Sequence, residues 1–171
     1  MTPSPWPKSD RASIEAFYGT HRLGLDGTPS ASWQRENLVL LQTPFPLRLS
    51  WEPATTVNRV RCHRRVADSL DRVLRAVLAS YATVEAVRAA RVDLFGGVYQ
   101  FRRISGKKAL SFHSWGAAID LDPDRNPLGS PWVANTGMLE KVVIDAFDAE
   151  GWRWGGRFKR PDPMHFEAVS G

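Results

Sequence analysis

Two short stretches of the chain carry side chains that can bind a metal ion. The first, SFHSWGAAIDLD over residues 111–122, places His113 and Asp120 seven residues apart, on either side of a small-residue turn. The second, DPMHFE over residues 162–167, contains His165. Two imidazole nitrogens and one carboxylate oxygen are ligands that a catalytic zinc ion uses while its fourth position stays open. The sequence therefore predicts a three-residue Zn²⁺ site.

The residues around these stretches predict strands that would hold the ligands. Because alternate side chains of a strand share a face, a strand over residues 117–122 would turn Asp120 toward a cleft and bury its neighbours behind it. Further strands are predicted at residues 152–154 and 163–169, and two β segments joined at Gly96-Gly97 are predicted over residues 92–104.

Apolar residues at spacings of three and four predict a helix over residues 60–81. Shorter helices are predicted at residues 13–18, 83–90 and 137–150, the last ending at Gly151. We interpret residues 1–57 as an irregular arm with a brief strand near residues 37–41, and residues 58–171 as the core of one domain that spans the whole chain. The sequence thus predicts an α+β fold with a small, mostly antiparallel sheet flanked by helices.

The composition limits the classes of protein to consider. The 171 residues are 43% hydrophobic and carry a formal charge of +5, which favours polyanionic partners such as nucleic acid, anionic lipid or an anionic cell wall. The single cysteine, Cys62, excludes an internal disulfide and any multi-cysteine metal site. The N-terminus has no apolar signal segment, and no apolar run reaches about 20 residues, so we expect cytoplasmic synthesis without membrane insertion.

The stretches YQFRRISGKKALSFHSWGAAIDLD and GWRWGGRFKRPDPMHFE resemble the M15-class zinc peptidoglycan peptidases, which include D-alanyl-D-alanine carboxypeptidases and phage endolysins. The resemblance extends over residues 92–167, a little under half of the chain. It implies an antiparallel sheet flanked by helices, as in hedgehog-type domains. It also implies a protein that acts on peptidoglycan in the cell wall after release from the cell, and we expect a monomer.

The resemblance also implies roles for individual residues. His113, Asp120 and His165 become the zinc ligands, and Asp162 becomes the general base. Arg102 matches an arginine that can hold a substrate carboxylate or a developing oxyanion by paired hydrogen bonds.

Five further residues are weaker candidates. Arg103 would point to the opposite face from Arg102, Ser111 can orient a ligand or contact substrate, and Trp154 can line the cleft or belong to the core. Asp122 is a candidate for supporting a ligand imidazole, and Glu167 is an equal one.

The chain also departs from the family pattern. Pro163 replaces a histidine that many relatives carry two residues before the last ligand, and the general base is aspartate where several relatives have glutamate. Recognisable wall-binding repeats are missing, so substrate targeting would depend on the catalytic domain and its positive charge.

Three functions are compatible with these observations. The first is hydrolysis of a peptide bond in the peptidoglycan stem, as an L-alanyl-D-glutamate endopeptidase or a D,D-carboxypeptidase. The second is a zinc-containing, non-catalytic binding module of the same fold, which would not need a carboxylate at Asp162. A nucleic-acid-binding protein ranks last, because the chain lacks a glycine-rich phosphate loop and a dense basic tract with interleaved aromatic residues.

Overall fold

A computed structural model describes residues 5–171, and these residues form a mixed, mostly antiparallel sheet with helices. The strands are β1 (Leu38–Leu49), β2 (Glu52–His63), β3 (Leu94–Gly97), β4 (Ala118–Leu121), β5 (Arg153–Trp154) and β6 (His165–Glu167). The helices of the described residues are α1 (Arg11–Tyr18), α2 (Ala31–Asn37), α3 (Ala67–Tyr81), α4 (Val84–Ala89) and α5 (Lys141–Ala149). This arrangement confirms the predicted α+β class.

The six strands lie in the order β2-β1-β3-β4-β6-β5, so the sheet connects the long N-terminal hairpin to the short strands near the C-terminus. Strands β1 and β3 pair in parallel, and the other neighbouring strands pair antiparallel. The two short strands β4 and β6 are neighbours in this order. They therefore bring together residues that are about 45 positions apart in the sequence.

The predicted helix over residues 60–81 is wrong in its first turns. Residues up to His63 belong to β2, and α3 begins only at Ala67. The local burial explains the difference, because Val60 and Cys62 are buried while Arg61 between them is exposed, which is the two-residue period of a strand. Pairing with β1 thus determines the structure of this segment, although its sequence also fits a helix.

The description of residues 1–57 as an irregular arm is also wrong for its second half. The predicted strand near residues 37–41 is confirmed, but it continues to Leu49 and pairs with β2. The predicted helix at residues 13–18 is confirmed as α1, which Asp10 caps by accepting a hydrogen bond from Ser13 N. Tyr18, Trp33 and Phe45 are buried, so aromatic residues of this part belong to the hydrophobic core.

Two smaller differences concern the predicted second β segment and the start of α5. Residues 98–104 form no second strand, although Arg103 makes an isolated bridge with Leu110. Helix α5 begins at Lys141 rather than at 137, and the glycine that follows its end, Gly151, has the positive φ of 74° expected there. Helix α4 matches its prediction and is capped by Thr83.

The core packs behind the strands that carry the predicted ligands. Phe147 of α5 stacks on Phe166 of β6 with ring centroids 3.9 Å apart, and the Trp154 ring of β5 lies nearly parallel to Phe166 at 6.5 Å. Phe166 is fully buried, so the neighbouring residues of β6 are held in place by packing. Among the described residues, no helix combines the length and the apolar character needed to cross a membrane.

Candidate metal centre

Three elements bring the predicted ligands together. Asp120 of β4 lies directly opposite His165 of β6 in the antiparallel register. His113 lies on a short 3₁₀ helix, Phe112–Trp115, which immediately precedes β4. Because residues paired across antiparallel strands have adjacent side chains, the register alone places Asp120 beside His165.

The 3₁₀ helix has a defined start and end. Ser111 caps it, and its Oγ accepts a hydrogen bond of 3.4 Å from His113 N. Gly116 ends it with a φ of 68°, in the left-handed region that favours glycine. A Cβ at Gly116 would lie 2.9 Å from His63 N, so only glycine fits between the 3₁₀ helix and the end of β2.

The three side chains form a buried cluster with ligand atoms in close proximity. His113 Nε2 lies 3.2 Å from Asp120 Oδ2, and His165 Nδ1 lies 2.8 Å from Asp120 Oδ1. One nitrogen or oxygen from each of the three residues lies within 4.8 Å of the others, which is close enough for all three to hold one metal ion. All three residues are at most 8% exposed.

His113 is oriented by its other ring nitrogen. Its Nδ1–H donates a hydrogen bond of 2.8 Å to the carbonyl oxygen of Val98, so Nε2 is the ring nitrogen available to a metal ion. Nε2 is buried and makes no hydrogen bond, despite its proximity to Asp120. A buried ring nitrogen without a hydrogen-bond partner is costly, and a metal ion at this position would satisfy it.

His165 is supported by a carboxylate on its own strand. Glu167 Oε2 accepts a hydrogen bond of 3.1 Å from His165 Nε2, and Arg153 Nε donates a hydrogen bond of 2.8 Å to Glu167 Oε1. A metal-binding histidine commonly donates its second N–H to a carboxylate, which fixes the ring and raises its basicity. This contact directs His165 Nδ1 toward Asp120 and His113.

Opposite charges set the protonation of this cluster. Burial alone would raise the pKa of Asp120, but His113 and His165 beside it hold the pKa below its usual range. Burial opposes protonation of His165, yet the carboxylates of Asp120 and Glu167 outweigh it and raise the pKa of His165 to about 10. A metal ion that binds Nδ1 of His165 would therefore take the place of a proton.

Asp162 lies beside the cluster. Burial raises the pKa of Asp162, and its carboxylate interacts electrostatically with His165, Asp120 and Arg102. Asp162 Oδ1 is buried and makes no hydrogen bond. A carboxylate with a raised pKa and a free oxygen is suited to accept a proton.

The loop that carries Asp162 folds back tightly on itself. Asp162 N donates a hydrogen bond of 2.9 Å to Gly155 O, and Trp154 Nε1 donates one of 2.8 Å to Pro163 O. A Cβ at Gly155 would lie 2.4 Å from Asp162 O and 3.2 Å from His165 Cβ. Gly155 therefore allows the close approach that holds both side chains at the site.

A search with protein-family models matches residues 105–168 to a peptidase M15 family described as D-alanyl-D-alanine carboxypeptidase. The resemblance to the M15-class peptidases is confirmed. The matched segment contains His113, Asp120, Asp162 and His165, whereas Arg102 precedes it. No curated protein and no solved structure matches the chain significantly.

Arg102 lies just before the matched segment and is partly exposed. Its Nη2 is 3.9 Å from Asp120 Oδ2, and its Nε donates a hydrogen bond of 3.1 Å to Gln100 Oε1. The neighbouring Arg103 donates instead to the carbonyl oxygen of Lys108 and closes the 103–110 loop. The two arginines thus have different surroundings, and Arg102 is the one beside the cluster.

Two weaker candidates of the M15 segment have other partners. Asp122 was a candidate for supporting an imidazole, and this prediction is wrong, because its buried carboxylate pairs with Arg91 at 2.8 Å. The residue follows the end of β4 and has a φ of 42°. Trp154 is 6% exposed and packs against Trp132 and Phe166, so it belongs to the hydrophobic core rather than lining an open cleft.

Several residues that shape this candidate site were missed or not distinguished from the sequence. The Val98 carbonyl oxygen leaves no side-chain signal, and Glu167 was distinguished from Asp122 only by the structure. The sequence pattern indicates Gly96 only as part of the connection between two β segments. In the structure, a Cβ at Gly96 would lie 2.8 Å from Asp120 Cβ. A glycine within a strand pattern is a known sign of close backbone approach and could have indicated this role.

Proposed function

We propose that the protein is a zinc-dependent peptidase that hydrolyses a peptide bond in the stem peptide of peptidoglycan. The observation that carries this proposal is the buried group of His113, Asp120 and His165 with the unpartnered oxygen of Asp162 beside it. The M15 match over residues 105–168 supports a peptidase, and the family description supports a substrate from the cell wall.

In this proposal the zinc ion would be held by His113 Nε2, Asp120 and His165 Nδ1. Nitrogen and carboxylate oxygen ligands suit zinc, and three protein ligands leave a position open for chemistry. A zinc ion held there would supply Lewis acidity, which polarises a substrate carbonyl group and lowers the pKa of a water molecule.

The chain itself supplies proton transfer and substrate positioning. Asp162 Oδ1 accepts a proton from the attacking water and returns it to the amine that leaves. Arg102 places its guanidinium at the exposed side of the cluster, where it binds a carboxylate of the substrate or the oxyanion that develops. Glu167 keeps the His165 ring oriented throughout.

The cleaved bond is the part of the proposal for which both alternatives stay open. An L-alanyl-D-glutamate endopeptidase, as in phage lysis, and a D,D-carboxypeptidase, as in wall remodelling, would use the same metal centre. In either case we propose that a monomer acts on the cell wall. A binding module that keeps zinc without catalysis is less favoured, because it has no need of the carboxylate of Asp162.

Digestion of purified peptidoglycan, followed by mass spectrometry of the released muropeptides, tests this function. We expect new peptide termini that disappear when a chelator is added and return when zinc is restored. The masses identify the bond that is cut. A protein that binds zinc and peptidoglycan but releases no new termini would support the binding module and contradict the peptidase.

A further inference from the structure

The segment before α2 contacts the 3₁₀ helix of the metal centre, although it lies outside the matched M15 segment. His21 Nε2 lies 2.8 Å from the carbonyl oxygen of Ser114. Because a carbonyl oxygen only accepts, His21 must carry its proton on Nε2 and donate it. Burial lowers the pKa of His21, which is consistent with a neutral ring.

Aromatic rings hold His21 in this position. The centroids of Trp33, Trp115 and Phe101 lie 4.3, 4.7 and 5.1 Å from that of the imidazole. Trp33 belongs to α2, Trp115 ends the 3₁₀ helix, and Phe101 immediately precedes Arg102. The histidine therefore fills the space between the N-terminal segment and two parts of the site.

Ser114 continues the connection to Arg102. Its Oγ–H donates a hydrogen bond of 2.8 Å to Arg102 O and accepts one of 3.0 Å from Arg102 N. Ser114 is fully buried and follows the ligand His113 directly. Both backbone groups of Arg102 are thus bound by one serine, whose own carbonyl group is bound by His21.

We infer that His21 is a positioning residue for Arg102, acting through Ser114. Its ring and N–H keep the 3₁₀ helix and residues 101–102 in one arrangement, so that the guanidinium stays at the exposed side of the metal cluster. This inference rests on the proposed function of Arg102 in binding substrate. It also assigns a role to the N-terminal segment, which helps through His21 to hold the substrate-binding arginine in place.

His21→Phe tests the inference because it keeps an aromatic ring and removes the donor. We expect kcat/KM on purified muropeptides to fall about tenfold, the order expected when one hydrogen bond is lost, with zinc content unchanged. His21→Gln, which keeps an N–H donor, should recover most of the activity. Ile14→Ala, in the buried face of α1, is the control for a general loss of stability and should leave kcat/KM unchanged well below its unfolding temperature.

A double-mutant cycle separates this inference from the proposed function. If His21 acts through Arg102, then His21→Phe should lower kcat/KM less than about twofold in an Arg102→Ala background. An equal effect in both backgrounds would overturn the positioning role. If Arg102→Ala itself had no effect, the substrate-binding role of Arg102 would be wrong, and the inference that depends on it would fall with it.

A spectroscopic measurement does not depend on activity. The Nε–H of Arg102, which donates to Gln100, should change its NMR chemical shift in His21→Phe and not in His21→Gln. Should His21→Phe fail to fold, Ser114→Ala removes the next link and should show the same change and the same coupling to Arg102→Ala. An unchanged Arg102 signal in a folded variant that lacks the donor or the serine would contradict the inference.

Discussion

Asp120 and His165 lie opposite each other on neighbouring antiparallel strands, and Asp120 Oδ1 is 2.8 Å from His165 Nδ1. The pairing of β4 with β6 thus places two of the three candidate metal ligands side by side. A shift of one residue in this register would turn one of the two side chains to the other face of the sheet. The buried neighbours Ile119 and Phe166, which are also paired, specify the register.

Glu167 should tune the affinity for zinc through His165. Glu167→Gln removes the negative charge that His165 Nε2 faces, so zinc should bind about tenfold more weakly. Competition with a chelating dye measures the dissociation constant. Glu150→Gln is a matched control, because Glu150 is paired with Arg72 as Glu167 is with Arg153, but elsewhere in the fold. Equal zinc affinities for wild type and Glu167→Gln would contradict the supporting role.

Gly155→Ala should disturb Asp162 and His165 together. The added methyl group would lie 2.4 Å from Asp162 O, so the loop must move, and overpacking of this kind costs about 1–3 kcal/mol of the free energy of unfolding. We expect hydrolysis to fall at least tenfold, since small displacements of catalytic groups are costly. Gly27→Ala is strained by its positive φ of 73°, but a Cβ there meets no atom within 4 Å, so it controls for a loss of stability without a clash at the site and should leave hydrolysis unchanged.

His63 should make the fold sensitive to acid. It is 1% exposed, donates from Nε2 to Tyr18 O and accepts at Nδ1 from Arg65 N, so it is held neutral. Burial lowers the pKa of His63 to about 4, against about 6.5 in the unfolded chain. The unfolded state thus binds more protons between these values, and stability falls as pH decreases from about 6.5 to 4, by on the order of 3 kcal/mol.

Urea unfolding of wild type and His63→Gln between pH 7.5 and 4.5 measures this effect. Glutamine keeps an amide donor toward Tyr18 but does not titrate. The variant should be less stable than wild type at neutral pH, and the difference in unfolding free energy should shrink as the pH falls. A difference that stays constant with pH would show that His63 does not set the acid sensitivity.

The parts of the site that the sequence predicted are those with side-chain chemistry at fixed spacing. His113, Asp120 and His165 have the residue types of metal ligands, and the structure brings them together as expected. The support of His113 by the Val98 carbonyl oxygen and of Arg102 by Ser114 depends on backbone groups and loop paths, for which residue types give no signal.

The sequence predicted the α+β class of the fold, but it did not predict the long strands β1 and β2 of the N-terminal part. The segment before α3 has apolar residues that fit both a helical and an alternating period, and long-range pairing with β1 decided between them. The sequence around His21 indicates neither a ligand nor a partner for this residue. Its contacts with Trp33, Trp115 and Phe101 arise only from the tertiary fold.

Zinc content and peptidoglycan hydrolysis, measured together in Asp162→Asn, test the central claim most directly. Asparagine has nearly the shape of aspartate but cannot accept the proton at neutral pH. We predict that the variant retains about one zinc ion per chain while hydrolysis falls at least a hundredfold, as expected for loss of a general base. Hydrolysis at the wild-type rate by the zinc-loaded variant would contradict the mechanism.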